Sequence, residues 1–125
     1  MNAQTLLHRQ IHPSWVQDGQ VTSQAFRPTP KDEKKLSVYD GDQISPADAF
    51  SHYTGGQGLA SVGVLSVSVE ECRAIDLDAL PDPEPFPEHA VIDFGDLPEK
   101  AVKSKGKLLK SRAVARSWQH GPLVT

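Results

Sequence analysis

Arg9 is the residue whose type and setting say most about chemistry. Leu7, Arg9 and Ile11 alternate with His8, Gln10 and His12, the period of a half-buried strand, so the guanidinium shares a face with two large aliphatic side chains. A guanidinium turned toward a core needs a partner, because an uncompensated buried charge is costly. Two partners fit. One is a core carboxylate such as Asp93. The other is an anionic ligand, whose oxygens match the planar guanidinium fork. In the second case Arg9, helped by the hydroxyl of Ser37, is an anion-binding site.

An anion site gains chemistry from groups that exchange protons near neutrality, and histidine is the side chain suited to that. The sequence has His8, His12, His52, His89 and His120. His8 and His12 are expected on the outer face of the first strand, and His120 near a frayed end. His52 falls about 200° around a short helix from Phe50 and so leaves its core-facing side. His89 shares a strand face with Val91 and Asp93, opposite Ala90, Ile92 and Phe94. His52 and His89 are therefore the candidate acid and base. Metal chemistry has little to build on: there is no cysteine pair, no His-Glu-x-x-His and no Asp-rich calcium loop. The segment Gly55-Gly56-Gln57-Gly58 lacks the Lys-Ser/Thr of a phosphate loop. No cofactor is expected. Cys72 falls on the apolar side of its helix and reads as a core residue.

The elements that must position these groups are short. Strands are expected at 7–11, 21–26, 36–39, 59–67 and 89–94, with turns at Asp18-Gly19 and Asp40-Gly41 and a charged solvated loop at 31–35. Ser45-Pro46-Ala47-Asp48 has a cap, a proline for the first helical position and an acid for the positive helix end, and predicts a helix to residue 53. Ser68-Val69-Glu70-Glu71 has capping-box spacing and predicts a second. Pro81, Pro83, Pro85 and Pro87 alternate mostly with acids and predict a stiff extended connector over 81–88. Asp96-Leu97-Pro98-Glu99 opens the longest helix, with Val102, Leu108, Leu109 and Ala113 as its apolar stripe. Gly106 lies inside that helix and weakens it by roughly 1 kcal/mol relative to alanine. Strands precede, separate and follow the helices. The expected fold is a single α+β domain over 1–125, with a mixed or largely antiparallel sheet and two or three helices, the C-terminal one longest.

Charge is unevenly spread along a chain of net charge −3. The acids of 70–99 are Glu70, Glu71, Asp76, Asp78, Asp82, Glu84, Glu88, Asp93, Asp96 and Glu99, against Arg73 alone. Residues 100–116 carry Lys100, Lys103, Lys105, Lys107, Lys110, Arg112 and Arg116 and no acid. Lys103, Lys107 and Lys110 are the candidate contacts to nucleic acid or an acidic partner. The competing expectation is a solvated face balanced by the acidic segment, favoured by the absence of interleaved aromatics. One cysteine cannot form an internal disulfide, and no apolar run approaches membrane-spanning length. A cytoplasmic location without membrane contact is the expectation.

The order Leu7-His8-Arg9, Ser23-Gln24-Ala25-Phe26, Leu36-Ser37-Val38, His52 and Pro87-Glu88-His89-Ala90 resembles a group of small bacterial proteins of no known activity. The resemblance implies a bacterial source and marks Arg9, Ser37, His52 and His89. Arg9, Thr22-Ser23 and Glu70-Glu71 also follow the order of the arginine, Ser-Thr-Ser strand and glutamate of ADP-ribosyltransferases, although Glu70-Glu71 here opens a helix. The leading functional expectation is a binding or accessory module acting with a larger protein. The alternative is a small enzyme acting on a phosphate-bearing substrate, a nucleotide or RNA, through Arg9, His52 and His89.

Overall fold

The computed structural model describes residues 1–29 and 33–123. In chain order the strands are β1 (Leu6–Gln10), β2 (Val16–Gln17), β3 (Gln20–Val21), β4 (Lys35–Asp40), β5 (Val64–Ser68), β6 (Asp78–Pro81) and β7 (His89–Asp93). The α-helices are α1 (Pro46–Ser51), α2 (Val69–Arg73) and α3 (Glu99–Arg116). Five strands form one sheet in the order β5-β1-β4-β7-β6, with every neighbouring pair antiparallel. β2 and β3 form a separate hairpin across the Asp18-Gly19 turn. This is the expected α+β architecture, and α3 is its longest helix.

The strand period of two sorts the sheet into two unlike faces. Leu7, Leu36, Val38, Leu65, Val67, Ala79, Ala90 and Ile92 are buried on the first face. They pack beneath α3 and the 3₁₀ turn Ser23–Phe26, whose Phe26 is fully buried. Each fully buried Leu, Ile or Phe contributes about 1.5–3 kcal/mol relative to exposure. His8, Gln10, Ser37, Tyr39, Ser66 and His89 alternate with those residues and lie on the second face. That face is the polar one, and the site lies on it.

Several elements differ from expectation for local reasons. Residues 23–26 form a 3₁₀ turn, because Ala25 and Phe26 must both point under α3. The strand expected over 59–67 begins only at Val64. α1 passes at His52 into a π turn, His52–Gly56. An edge strand not expected from the sequence, β6, precedes the proline-rich connector and shares only Pro81 with it; the rest of 81–88 is loop. α3 starts at Glu99 with Pro98 as its cap residue, and Lys34 Nζ donates to the Leu97 carbonyl just before it. Its buried stripe is Val102, Gly106, Leu109 and Ala113, while Leu108 is exposed. The capping box of α2 forms as expected: Glu71 N donates to Ser68 Oγ (3.1 Å) and Ser68 N donates to Glu71 Oε1 (2.8 Å). The expected loop at 31–35 falls partly outside the described residues.

Candidate functional site

β4 and β7 are paired with Tyr39 opposite His89 and Ser37 opposite Val91. On one face of such a pair, diagonal neighbours are within reach of one another's longer side chains. His89 Nε2 reaches Ser37 Oγ at 3.1 Å along that diagonal. The other ring nitrogen, Nδ1, lies 2.9 Å from the Asp82 carbonyl oxygen and 3.3 Å from Asp82 Oδ2. A carbonyl only accepts, so Nδ1 carries the proton and donates to it. In the neutral ring Nε2 is then the lone-pair nitrogen, and the Ser37 hydroxyl donates to it. The result is a hydroxyl–imidazole–carboxylate chain. Ser37 is solvent-exposed and His89 is 9% exposed.

The loop after β6 brings Asp82 to this position. Asp82 N donates to the His89 carbonyl (3.0 Å), and His89 N donates to the Phe86 carbonyl (3.1 Å), closing a turn around the imidazole. Phe86 sits among three rings, with centroids 4.6 Å from His52, 5.1 Å from Tyr39 and 5.2 Å from His89. Its aromatic surface adds to the few backbone hydrogen bonds that a proline-rich connector can make to the sheet.

A cavity of about 360 Å³ opens above this chain. Its walls include Ser37, His89, Gln10, Tyr53, Gln57 and Phe86, with His8 and Arg9 at one side. Gln10 is 5% exposed; Ser61 Oγ donates to its Oε1 (2.9 Å), while its Nε2 is buried without a protein partner.

Arg9 takes neither of the two expected forms in full. Regular pairing of β1 with β4 stops at His8 opposite Tyr39. Beyond that point Arg9 Nη1 donates to the Ser37 carbonyl (2.9 Å) and Nε donates to the Ala25 carbonyl (2.8 Å). The guanidinium also lies 4.9 Å from the Trp15 ring centroid, a cation–π contact. Asp93 is not its partner; that carboxylate accepts from Gly95 N at 2.8 Å. Arg9 borders the cavity and fixes the main chain of Ser37.

His52 stands behind Tyr39. Its Nδ1 is 2.8 Å from the Tyr39 hydroxyl, and it does not line the cavity. Burial pushes the Tyr39 phenol up to about 12, with Tyr53 and Glu88 adding to the effect, so the phenol stays protonated. His52 and His89 meet through Phe86, and only His89 faces the hollow. Cys72 is fully buried, and burial pushes its thiol up to about 12, so it is a core residue. Glu71 accepts from Arg116 Nη1 at 2.8 Å and completes the α2 capping box, so this glutamate is held as structure. Lys103 and Lys107 are exposed on α3 and Lys110 is half-buried, all three outside this cavity. Gln10, Tyr39, Asp82 and Phe86 are site residues not expected from the sequence: Gln10 and Tyr39 share the strand face of Ser37 and His89, while Asp82 and Phe86 lie in a loop where alternation says nothing. One signal does point to Phe86: a scarce aromatic set in a stiff proline run three residues before His89.

The expectations for His8, on the outer face of the first strand, and for His120, near a frayed end, also change. His8 is only 3% exposed, because the chain after β4 folds over it. Its Nδ1 is 2.7 Å from Ser66 Oγ. His120 pairs with Val64 and lies 4.6 Å from the Phe50 ring. Burial lowers the His8 pKa, partly offset by its hydrogen bond to the Ile44 backbone and by Asp40. The unfolded chain therefore binds the His8 proton more readily than the folded chain does. Stability is full above the unfolded value of about 6.5 and falls as pH drops below it, until the folded-state pKa is passed. The slope contributed by this one group reaches at most about 1.4 kcal/mol per pH unit. Urea unfolding at about pH 7.5 and about pH 5.5 checks it. His8→Gln is expected to flatten the pH dependence, and an unchanged pH dependence would show that another group is responsible.

Among the described residues no cluster of His, Cys, Asp and Glu is arranged to hold a metal ion. No helix among them is long and apolar enough to cross a membrane. Comparison with family models, with curated proteins and with solved structures finds no match for this chain, so its chemistry is read from the site alone.

Proposed function

We propose that the chain is a small ester-cleaving enzyme in which Ser37 is the nucleophile and His89 its base. The observation that carries this reading is the directed chain Ser37 Oγ–H to His89 Nε2, with His89 Nδ1–H held on Asp82. Nucleophile, base and orienting group stand within hydrogen-bond reach in the order that activates a hydroxyl. Ser37 Oγ forms a bond to the substrate carbonyl carbon while its proton passes to Nε2, and the carbonyl π pair moves onto oxygen. Collapse of that intermediate expels the alkoxide, which takes the proton from Nε2. Water then repeats the sequence on the acyl-serine and releases the acid. The Asp82 carboxylate, 3.3 Å from Nδ1, stabilises the imidazolium formed in each half.

The walls favour a carboxylic over a phosphoric ester. Phosphoryl transfer depends on cations gathered around the transferring group. Here no lysine lines the cavity among the described residues, and two Arg9 donors serve main-chain carbonyls. The uncharged amides of Gln10 and Gln57 and the rings of Tyr53 and Phe86 suit an uncharged ester. A partner-binding role draws its support elsewhere, from the basic flank of α3.

A fluorophosphonate probe tests the reading. It should form a phosphonyl adduct on Ser37, seen by peptide mass, that is absent in Ser37→Ala and strongly reduced in His89→Gln. Short-chain p-nitrophenyl carboxylic esters should be turned over in preference to p-nitrophenyl phosphate. Neither adduct nor ester turnover in folded protein would refute the assignment.

A further inference from the structure

The basic residues of α3 are divided by the helix itself. At about 100° per residue, Lys100, Lys103, Lys107 and Lys110 fall in one file, at spacings of three and four. Lys105, Arg112 and Arg116 fall on the opposite flank, beside α2. That second flank is already engaged. Lys105 Nζ donates to the Ile75 carbonyl. Arg116 Nη1 donates to Glu71 Oε1 (2.8 Å) and to the Ser66 carbonyl (3.0 Å). Arg112 lines the groove that also holds Glu70 and Glu71. The acidic α2 segment therefore balances one flank of α3 only. Ion pairs among the described residues join the N-terminus to Asp42, His89 to Asp82 and Arg116 to Glu71, and none reaches the lysine file.

We propose that this lysine file binds the phosphate backbone of a single-stranded nucleic acid. From Lys100 to Lys110 the helix rises about 15 Å, long enough to meet several successive phosphates of one strand. Lys100, Lys103 and Lys107 are exposed, and the exposed hydroxyls of Ser104 and Ser111 lie beside them as further donors. The exposed apolar residues of α3, Leu108 and Val114, stand about 120° apart around the helix, and its continuous apolar face, Val102, Leu109 and Ala113, is buried in the core. An interfacial membrane helix needs that face for the bilayer. Trp118, half-buried, lines one hollow with Lys110 at the end of the file and is a ring placed to take a base of a single strand. Point charges in a regular file complement a polymer with one charge per repeat, and recognition of this kind tolerates sequence. α3 covers the sheet face away from the Ser37 cavity, so binding is independent of the proposed catalysis.

Fluorescence anisotropy with a labelled single-stranded oligonucleotide of mixed sequence, with the matching duplex alongside, tests it in the full chain. Four phosphate contacts predict that log K falls with log salt at a slope near −2.8, about 0.7 per contact. Lys103→Ala with Lys107→Ala should reduce that slope by about 1.4 and weaken binding at least tenfold at low salt. Arg112→Ala, on the engaged flank, should leave affinity within about twofold, as should Ser37→Ala. Thermal unfolding of each variant separates lost binding from lost folding. No binding at low salt would overturn the proposal. So would equal damage from Arg112→Ala, tighter binding to the duplex, or stronger binding to phosphatidylserine vesicles or to polyglutamate.

Discussion

Ser37→Ala is expected to lower ester turnover by about 10³-fold or more while changing stability by no more than about 0.5 kcal/mol. The activity loss follows from removing the nucleophile that His89 Nε2 activates. The small stability change follows from the exposure of Ser37, whose hydroxyl fills no core space. His89→Gln should cost about as much activity, since residues acting as one unit do not add. Asp82→Asn is the discriminating variant. A carboxylate that alone fixes the tautomer of its histidine is costly to replace by an amide, because the amide can select the wrong one. Here the main-chain carbonyl of Asp82 takes the Nδ1 proton at 2.9 Å, so the tautomer survives the substitution. Only the charge facing the imidazolium is lost, and a fall of about 10–100-fold is expected. Initial rates of p-nitrophenyl ester hydrolysis for the three variants check this ordering. An Asp82→Asn loss as deep as that of Ser37→Ala would mean that the side chain, and not the carbonyl, holds the imidazole.

Local signals were enough for part of this site. Alternation placed Arg9 on the core side of β1 and His89 on the face opposite Ile92, because strand sidedness depends on nothing but neighbours. The α2 capping box was equally local, four residues whose hydrogen bonds close on themselves. Ser37 and His89 were each picked out, yet their union depends on β4 pairing with β7, which lies 52 residues away in sequence. No periodicity carries that register. Asp82 was hidden for another reason. It sits in a run where acids alternate with prolines, and composition there describes a linker. What converts it is Phe86, whose ring locks the loop against Tyr39, His52 and His89. His8 departs from its expected exposure because a polar strand face reads as solvent-facing until something folds over it.

Gly106→Ala is expected to destabilise the protein by about 1–3 kcal/mol, although alanine is the better helix former by about 1 kcal/mol. Gly106 lies in the buried stripe of α3, where the 3₁₀ turn Ser23–Phe26 passes against the helix backbone. A β-carbon there would stand 2.6 Å from Arg27 Cγ and 3.0 Å from the Phe26 carbonyl oxygen. The arginine side chain can move aside. The carbonyl belongs to a fully buried phenylalanine and cannot. A cycle of Gly106→Ala, Arg27→Ala and the double variant, followed by urea midpoints, apportions the two contacts. Arg27→Ala should recover only the part of the loss that comes from Cγ. The strain also has a route to the site. Ala25, one residue from Phe26, holds Arg9 Nε through its carbonyl, and Arg9 Nη1 holds the carbonyl of Ser37. Pushing the turn outward should therefore lower Ser37 labelling in protein that is still folded, by displacing the main chain that aims the hydroxyl at His89. A raised urea midpoint for Gly106→Ala would mean that helix and turn are not in close contact, and that Ser37 is positioned by the sheet alone.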